Sequence, residues 1–198
     1  MDPSASDAPP AADQPARRLA PYLALGIGAV FAVLLVLLAT ASGQKNAESS
    51  ATPLMGRTAP NIVGPTLGGG EFDLSAWRGR WMVLNFFTST CVPCVQEHPE
   101  LTEFATRQSG QDQGAQLVTL LFDDSASAVD DFFQTNGGGF WPVVLDDADA
   151  SVDYGVSKVP ETWVIDPSGT VVWRTIDTVT ADGLEAQIQL LRREAGGG

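Results

Sequence analysis

Cys91 and Cys94 are the only cysteines in the 198 residues, and Val92 and Pro93 alone separate them. Thiols at this spacing either hold a metal or cycle between dithiol and disulfide. As a structural staple the pair is weak. Closing a loop of about four residues restrains the unfolded chain by only roughly 2 kcal/mol, against about 5 for a 100-residue loop. A structural zinc wants four ligands, and beyond the two cysteines the chain offers one histidine, His98, and carboxylates. Redox exchange fits the pair best, so neither a metal nor a cofactor is expected.

The residues on either side say how such a pair would be positioned. Trp81 to Phe87 is apolar at every position but Asn85, as expected of a strand covered on both faces. Gln116 to Phe122 repeats that character. Between them, Cys91 to about Gln108 has helical spacing, with Val95, Leu101, Phe104 and Ala105 as its apolar residues. Strand, helix, strand makes a βαβ unit, and Cys91 then stands at the carboxyl end of the strand, where the helix begins. A helix N-terminus carries partial positive charge and unpaired amides, which favour a thiolate and lower a cysteine pKa below its free value of about 8.5. Cys91 is therefore the expected nucleophile, and Cys94, one turn further in, the resolving thiol that attacks the mixed disulfide. His98 follows at a spacing that allows it the same face, but is expected to be a partly exposed helix position. Pro99 is expected to bend the helix.

The rest of the chain supplies a domain around this unit. Val63 to Leu74 looks like a short hairpin about Gly68-Gly69-Gly70. Asp124-Ser125 caps a second helix, about Ala126 to Gln134, closing at Asn136-Gly137-Gly138-Gly139. Val143 to Leu145 is a short strand. Thr162 to Ile165 and Thr170 to Arg174 form an antiparallel hairpin around Asp166-Pro167-Ser168-Gly169, and a last amphipathic helix runs from about Ala181 to Arg193.

Ahead of this domain, Pro21 to Ala41 contains no charged residue and has about the 20-residue length that crosses a bilayer. The expected organisation is a disordered tail over 1–18, a transmembrane anchor over 19–41, a small-residue polar tether over 42–53 and one domain over 54–198. Arg17 and Arg18 precede the span and only Lys45 closely follows it, so the positive-inside bias puts the N-terminus in the cytoplasm and the domain outside. Ala39-Thr40-Ala41 resembles a cleavage site, but the apolar stretch is longer than a signal peptide's, which favours a retained anchor. A net charge of -13 and a pI near 4.2 argue against nucleic acid or anionic headgroups as partners of the domain. Acidic residues concentrate between Asp123 and Asp153 with no Lys or Arg among them, and are read as a solvated face.

Four segments together carry a family resemblance: Leu84-Asn85-Phe86-Phe87, Cys91-Val92-Pro93-Cys94, Glu97-His98-Pro99, and Gly155-Val156-Ser157-Lys158-Val159-Pro160-Glu161-Thr162. They resemble the membrane-anchored thioredoxin-like proteins of the TlpA/ResA type, redoxins that include the thiol-disulfide oxidoreductases of cytochrome c maturation. The resemblance spans about Leu54 to Arg193. It implies an α/β thioredoxin fold, a central mixed sheet flanked by helices with an N-terminal hairpin extension, behind one transmembrane helix. It also implies that Pro160 is a cis-proline facing the cysteines, that Glu97 manages the proton of the buried thiol, and that Glu161 is a second acid beside the proline loop. The function implied is reduction of apocytochrome c or other exported thiol proteins, with a transmembrane thiol reductase as electron donor. One position departs from the family: Thr90 stands where an aromatic residue, commonly Trp, precedes the first cysteine. Two other functions fit parts of the pattern. A copper-delivery module would use both cysteines and a histidine, and a thiol peroxidase would use the Thr88-Ser89-Thr90-Cys91 spacing.

Overall fold

A computed structural model describes residues 52–145 and 148–197, together with 26–28, 30 and 33, which are helical. The chain divides into two units, Met1–Ala47 and Glu48–Gly198. The expected tail, tether and all but five residues of the expected anchor lie outside the described residues, among which no helix is long and apolar enough to cross a membrane.

The second unit is a thioredoxin-like α/β fold. In chain order it contains β1 (Val63–Pro65), β2 (Glu71–Asp73), β3 (Met82–Phe87), α1 (Val92–Ser109), β4 (Gln116–Leu121), α2 (Ala126–Asn136), β5 (Val143–Val144), α3 (Ala148–Tyr154), β6 (Glu161–Ile165), β7 (Val171–Thr175) and α4 (Ala181–Gly196). Five strands form one mixed sheet in the order β5-β4-β3-β6-β7. β3 is central, parallel to β4 and antiparallel to β6. All six of its residues are buried, which is why the sequence shows a nearly unbroken apolar run rather than alternation.

The alternation of side chains along β3 separates two cores. Val83 and Phe87 pack with Cys94, Leu101 and Phe104 of α1, Phe132 and Phe133 of α2, and Leu184 and Ile188 of α4. Met82, Leu84 and Phe86 pack on the other face with Phe72 of the hairpin, Tyr154 of α3 and Trp163 of β6. β1 and β2 pair antiparallel, and the chain at Thr66 bridges to Val144 at the edge of the sheet, so the hairpin extension is docked on the fold.

The expected elements are present to within a residue or two at their starts, but α4 runs three residues beyond Arg193. α1 continues through Pro99. Two elements have no counterpart in the sequence reading: the 3-10 turn Leu74–Trp77, capped by Asp73, and α3. α3 is seven residues long in an acidic stretch and buries Ala150 and Tyr154, too few apolar positions to set up a helical period.

Candidate redox site

Cys91 is the N-cap of α1, with extended backbone, and its Sγ accepts the Cys94 N–H at 3.2 Å. It is joined to Cys94 in a disulfide, the two Cα atoms lying 5.2 Å apart, a separation ordinary for a bridge. The two sulfurs differ in access. Cys91 is half-buried, whereas Cys94 is 1% exposed, packed under the first turn against the core. Thr90 is exposed beside them.

The opposite wall comes from the loop before β6. The Val159–Pro160 peptide is cis, as the resemblance implied, and Val159 O lies 3.6 Å from Cys91 Sγ, within reach of the S–H of the dithiol state. Pro160 is buried. The turn leading into Cys91 is held from the connection between β4 and α2: Asp124 Oδ2 accepts from Ser89 N–H at 2.6 Å and from the Thr88 hydroxyl at 3.1 Å, and Oδ1 accepts from Ser125 N–H. Desolvation opposes ionisation of Asp124, yet these bonds prevail and hold its carboxyl below the usual range. Thr88 therefore serves Asp124, and no hydrogen bond joins its hydroxyl to the cysteine.

Glu97 lies one turn beyond Cys94 on the inner face of α1 and is 2% exposed. Its Oε1 accepts from Val179 N–H at 2.7 Å and its Oε2 from Asn85 Nδ2 at 3.2 Å. Burial raises its pKa to about 7; those two hydrogen bonds work in the other direction, and the charge of Asp177 adds a smaller upward push. A carboxyl with this poise exchanges a proton near neutral pH.

One expectation is corrected. His98 is 4% exposed rather than a surface position. Its ring sits among Phe132, Phe133 and Trp141, and Nε2 is 2.7 Å from Gly137 O. Gly138, at φ +82, lets the loop close here: a Cβ would stand 3.0 Å from the ring and 2.9 Å from Trp141. Burial lowers the His98 pKa against the effect of the Gly137 contact. The imidazole is thus engaged by the α2 loop and not by the cysteines.

Glu161 stands beside the proline loop, as the resemblance implied, with its side chain on the other face of the sheet. In β6 it pairs with Phe86, whose side chain belongs to the core on that face. There it is fully buried, and its Oε1 accepts from Arg174 Nε at 2.8 Å, the Arg174 guanidinium lying 4.7 Å from the centre of the Trp163 ring. It is a partner of Arg174 behind the sheet, away from the cysteines.

Asn85 and Thr162 belong to the site and escaped assignment from sequence. They are register partners on β3 and β6, and Asn85 Nδ2 lies 3.2 Å from Thr162 Oγ1. The signal was the single polar residue in an otherwise apolar strand, since a buried amide must find partners.

A thioredoxin-like fold that presents a CxxC disulfide at a helix N-terminus, opposite a cis-proline, defines a thiol-disulfide redox protein. Comparisons agree with that class. Residues 55–174 match the model of the AhpC/TSA family. The chain is 33% identical over 138 residues to the thiol-disulfide oxidoreductase ResA of Bacillus subtilis, covering 69% of this chain and 75% of that protein. It is 31% identical over 166 residues to the ResA of Geobacillus kaustophilus, covering 81% and 93%. Among solved structures, a putative thiol:disulfide interchange protein DsbE from Chlorobium tepidum superposes with a TM-score of 0.61 at 25% identity, covering 70% of this chain and 96% of that one. The chain belongs to the AhpC/TSA family and, within it, to the thiol-disulfide oxidoreductases of the ResA type.

Proposed function

We propose that this oxidoreductase is a reductant of disulfides in exported proteins, apocytochrome c foremost, working outside the cytoplasmic membrane on a single anchor over residues 19–41. The carrying observation is the unequal access of the two sulfurs at a helix start. In the reduced protein the Cys91 thiolate, favoured by the amides of the first turn, attacks a substrate disulfide and forms a mixed disulfide, releasing one substrate thiolate. A partner peptide lies along the Val159 backbone beside Cys91, with Pro160 as the floor of that contact. Cys94 gives its proton to the Glu97 carboxylate and attacks Cys91 Sγ, releasing the second substrate thiolate and closing the bridge seen here. Two electrons leave the protein for the substrate; the Cys94 proton is held by Glu97 and passes on to solvent, and the two substrate thiolates take up protons from solvent according to their own pKa. A transmembrane thiol reductase then returns two electrons to the disulfide.

The anchor reading rests on the uncharged stretch from Pro21 to Ala41 and the arginines before it. The choice of apocytochrome c rests on the resemblance to the ResA-type relatives. Glu161, paired with Arg174 behind the sheet, supports the proline loop from that side. The experiment is disulfide-reduction turnover by the wild type and by Cys91→Ser. Loss of turnover to background is expected, and undiminished turnover would overturn the reading.

A further inference from the structure

Asn85 is 1% exposed, and both N–H groups of its amide are committed, one to Glu97 Oε2 and one to Thr162 Oγ1. Its Oδ1 is equally buried and accepts a hydrogen bond from nothing among the described residues. A buried amide oxygen without a donor is uncommon enough to require a reason.

The arrangement suits a carboxylate at position 97, because two N–H donors, from Val179 and Asn85, converge on it. It does not suit a carboxylic acid. Val179 N–H occupies Oε1, so an acid proton sits on Oε2, which then faces the Asn85 Nδ2 donor to donor. Turning the amide over exchanges Nδ2 and Oδ1. The now unpartnered oxygen would accept from the Glu97 O–H, and the Thr162 hydroxyl would change from acceptor to donor toward that same oxygen. Both moves are conformationally open, since the terminal torsion of Asn is broad and roughly two-fold and a hydroxyl rotates to suit its neighbours. Either orientation leaves one end of the amide unpaired, so neither is locked and the proton on Glu97 decides between them.

We propose that Asn85 is a positioning residue for Glu97, and that its side-chain amide reverses each time Glu97 gains or loses a proton. The amide thereby offers a matched partner to both protonation states of the acid beside the redox pair. Its use in turnover rests on the reading of Glu97 as the proton acceptor of Cys94; the reversal itself does not. The charged group that bears on Glu97 is Asp177, on the chain between β7 and α4; of the titratable groups nearby on α1, Cys94 is locked in the disulfide and Glu100 Oε2 accepts from Ala181 N–H. From β3 and β6 the neighbours are the uncharged Asn85 and Thr162.

The test is an NMR titration of the full-length, isotopically labelled protein in its disulfide form, so that no cysteine titrates, from about pH 5 to about pH 9. The Asn85 side-chain amide signals are expected to move with the same midpoint as the Glu97 carboxyl carbon. Nuclear Overhauser contacts from its Nδ2 protons to Thr162 should be present above that midpoint and lost below it. In Glu97→Gln, Val179 still donates to the side-chain oxygen and the new amide donates toward Asn85. Asn85 should then be fixed in its acid-side state with no pH dependence. Contacts to Thr162 that persist on both sides of the Glu97 midpoint, or a Glu97→Gln variant fixed in the alkaline-side state, would overturn the proposal. Should that variant fail to fold, the wild-type titration decides alone. An unchanged pH profile of turnover in Glu97→Gln would remove the proton-acceptor reading while leaving the reversal standing.

Discussion

Glu97 holds a carboxyl in the core with two hydrogen bonds and, among the described residues, no cation beside it, so its burial couples stability to pH. Its folded pKa, about 7, lies above its ordinary value of 4.5. Below 4.5 both folded and unfolded chains carry the proton. As pH rises toward 7 the folded protein retains a proton that the unfolded chain has released. Stability therefore falls across this window, by about 3 kcal/mol from this group alone, and levels off above it. His98 acts in the opposite direction: with its pKa depressed below 6.5, it contributes stability above that value that is lost on acidification. The two partly cancel in the wild type. The difference between Glu97→Gln and wild type isolates the first, and denaturant unfolding at about pH 5 and about pH 8 should show the variant gaining relative stability at the higher pH. Much at this scale was legible in the sequence: the cysteine spacing, and an acid one turn beyond. The face on which Glu161 lies was not, because it depends on the register of β6 against β3, a pairing between positions 75 residues apart.

At the scale of elements, the site is the meeting of three segments: the start of α1, the loop before β6, and the β4–α2 connection that holds the turn into Cys91. Removing Asp124 frees the Ser89 N–H and the Thr88 hydroxyl together. Asp124→Ala should cost about 1–2 kcal/mol and slow disulfide exchange, while Asp124→Asn, which keeps an acceptor, should recover most of the stability; chemical denaturation with a parallel turnover assay checks both. Phe104 tests the packing that carries α1. It is fully buried on the same side of the helix as Cys94, Glu97 and Leu101, so Phe104→Ala should destabilise the domain by about 3–5 kcal/mol in the same unfolding experiment. The strands and α1, α2 and α4 were legible because each has a clear apolar run or period and recognisable caps or turns. α3 and the burial of His98 were not: the first is short and acidic, and the cage around the second is assembled from Phe132, Phe133 and Trp141, far along the chain.

For the whole molecule, composition and motif order pointed to the fold class and to a redox role, and the topology of β5-β4-β3-β6-β7 brings the CxxC and the proline loop together as the motif order implied. What composition could not convey is the asymmetry on which a directional exchange depends, one sulfur reachable and one sealed, because it arises only when α1 packs on the sheet. That asymmetry is open to a direct measurement. Reduced Cys94→Ser, mixed with a disulfide-bridged peptide and analysed by mass spectrometry under non-reducing conditions, should accumulate a one-to-one covalent adduct on Cys91. Reduced Cys91→Ser retains only Cys94, which is 1% exposed in the disulfide form, and should accumulate little or none. Adducts formed equally by both variants, or by Cys91→Ser alone, would contradict the assignment of Cys91 as the attacking sulfur.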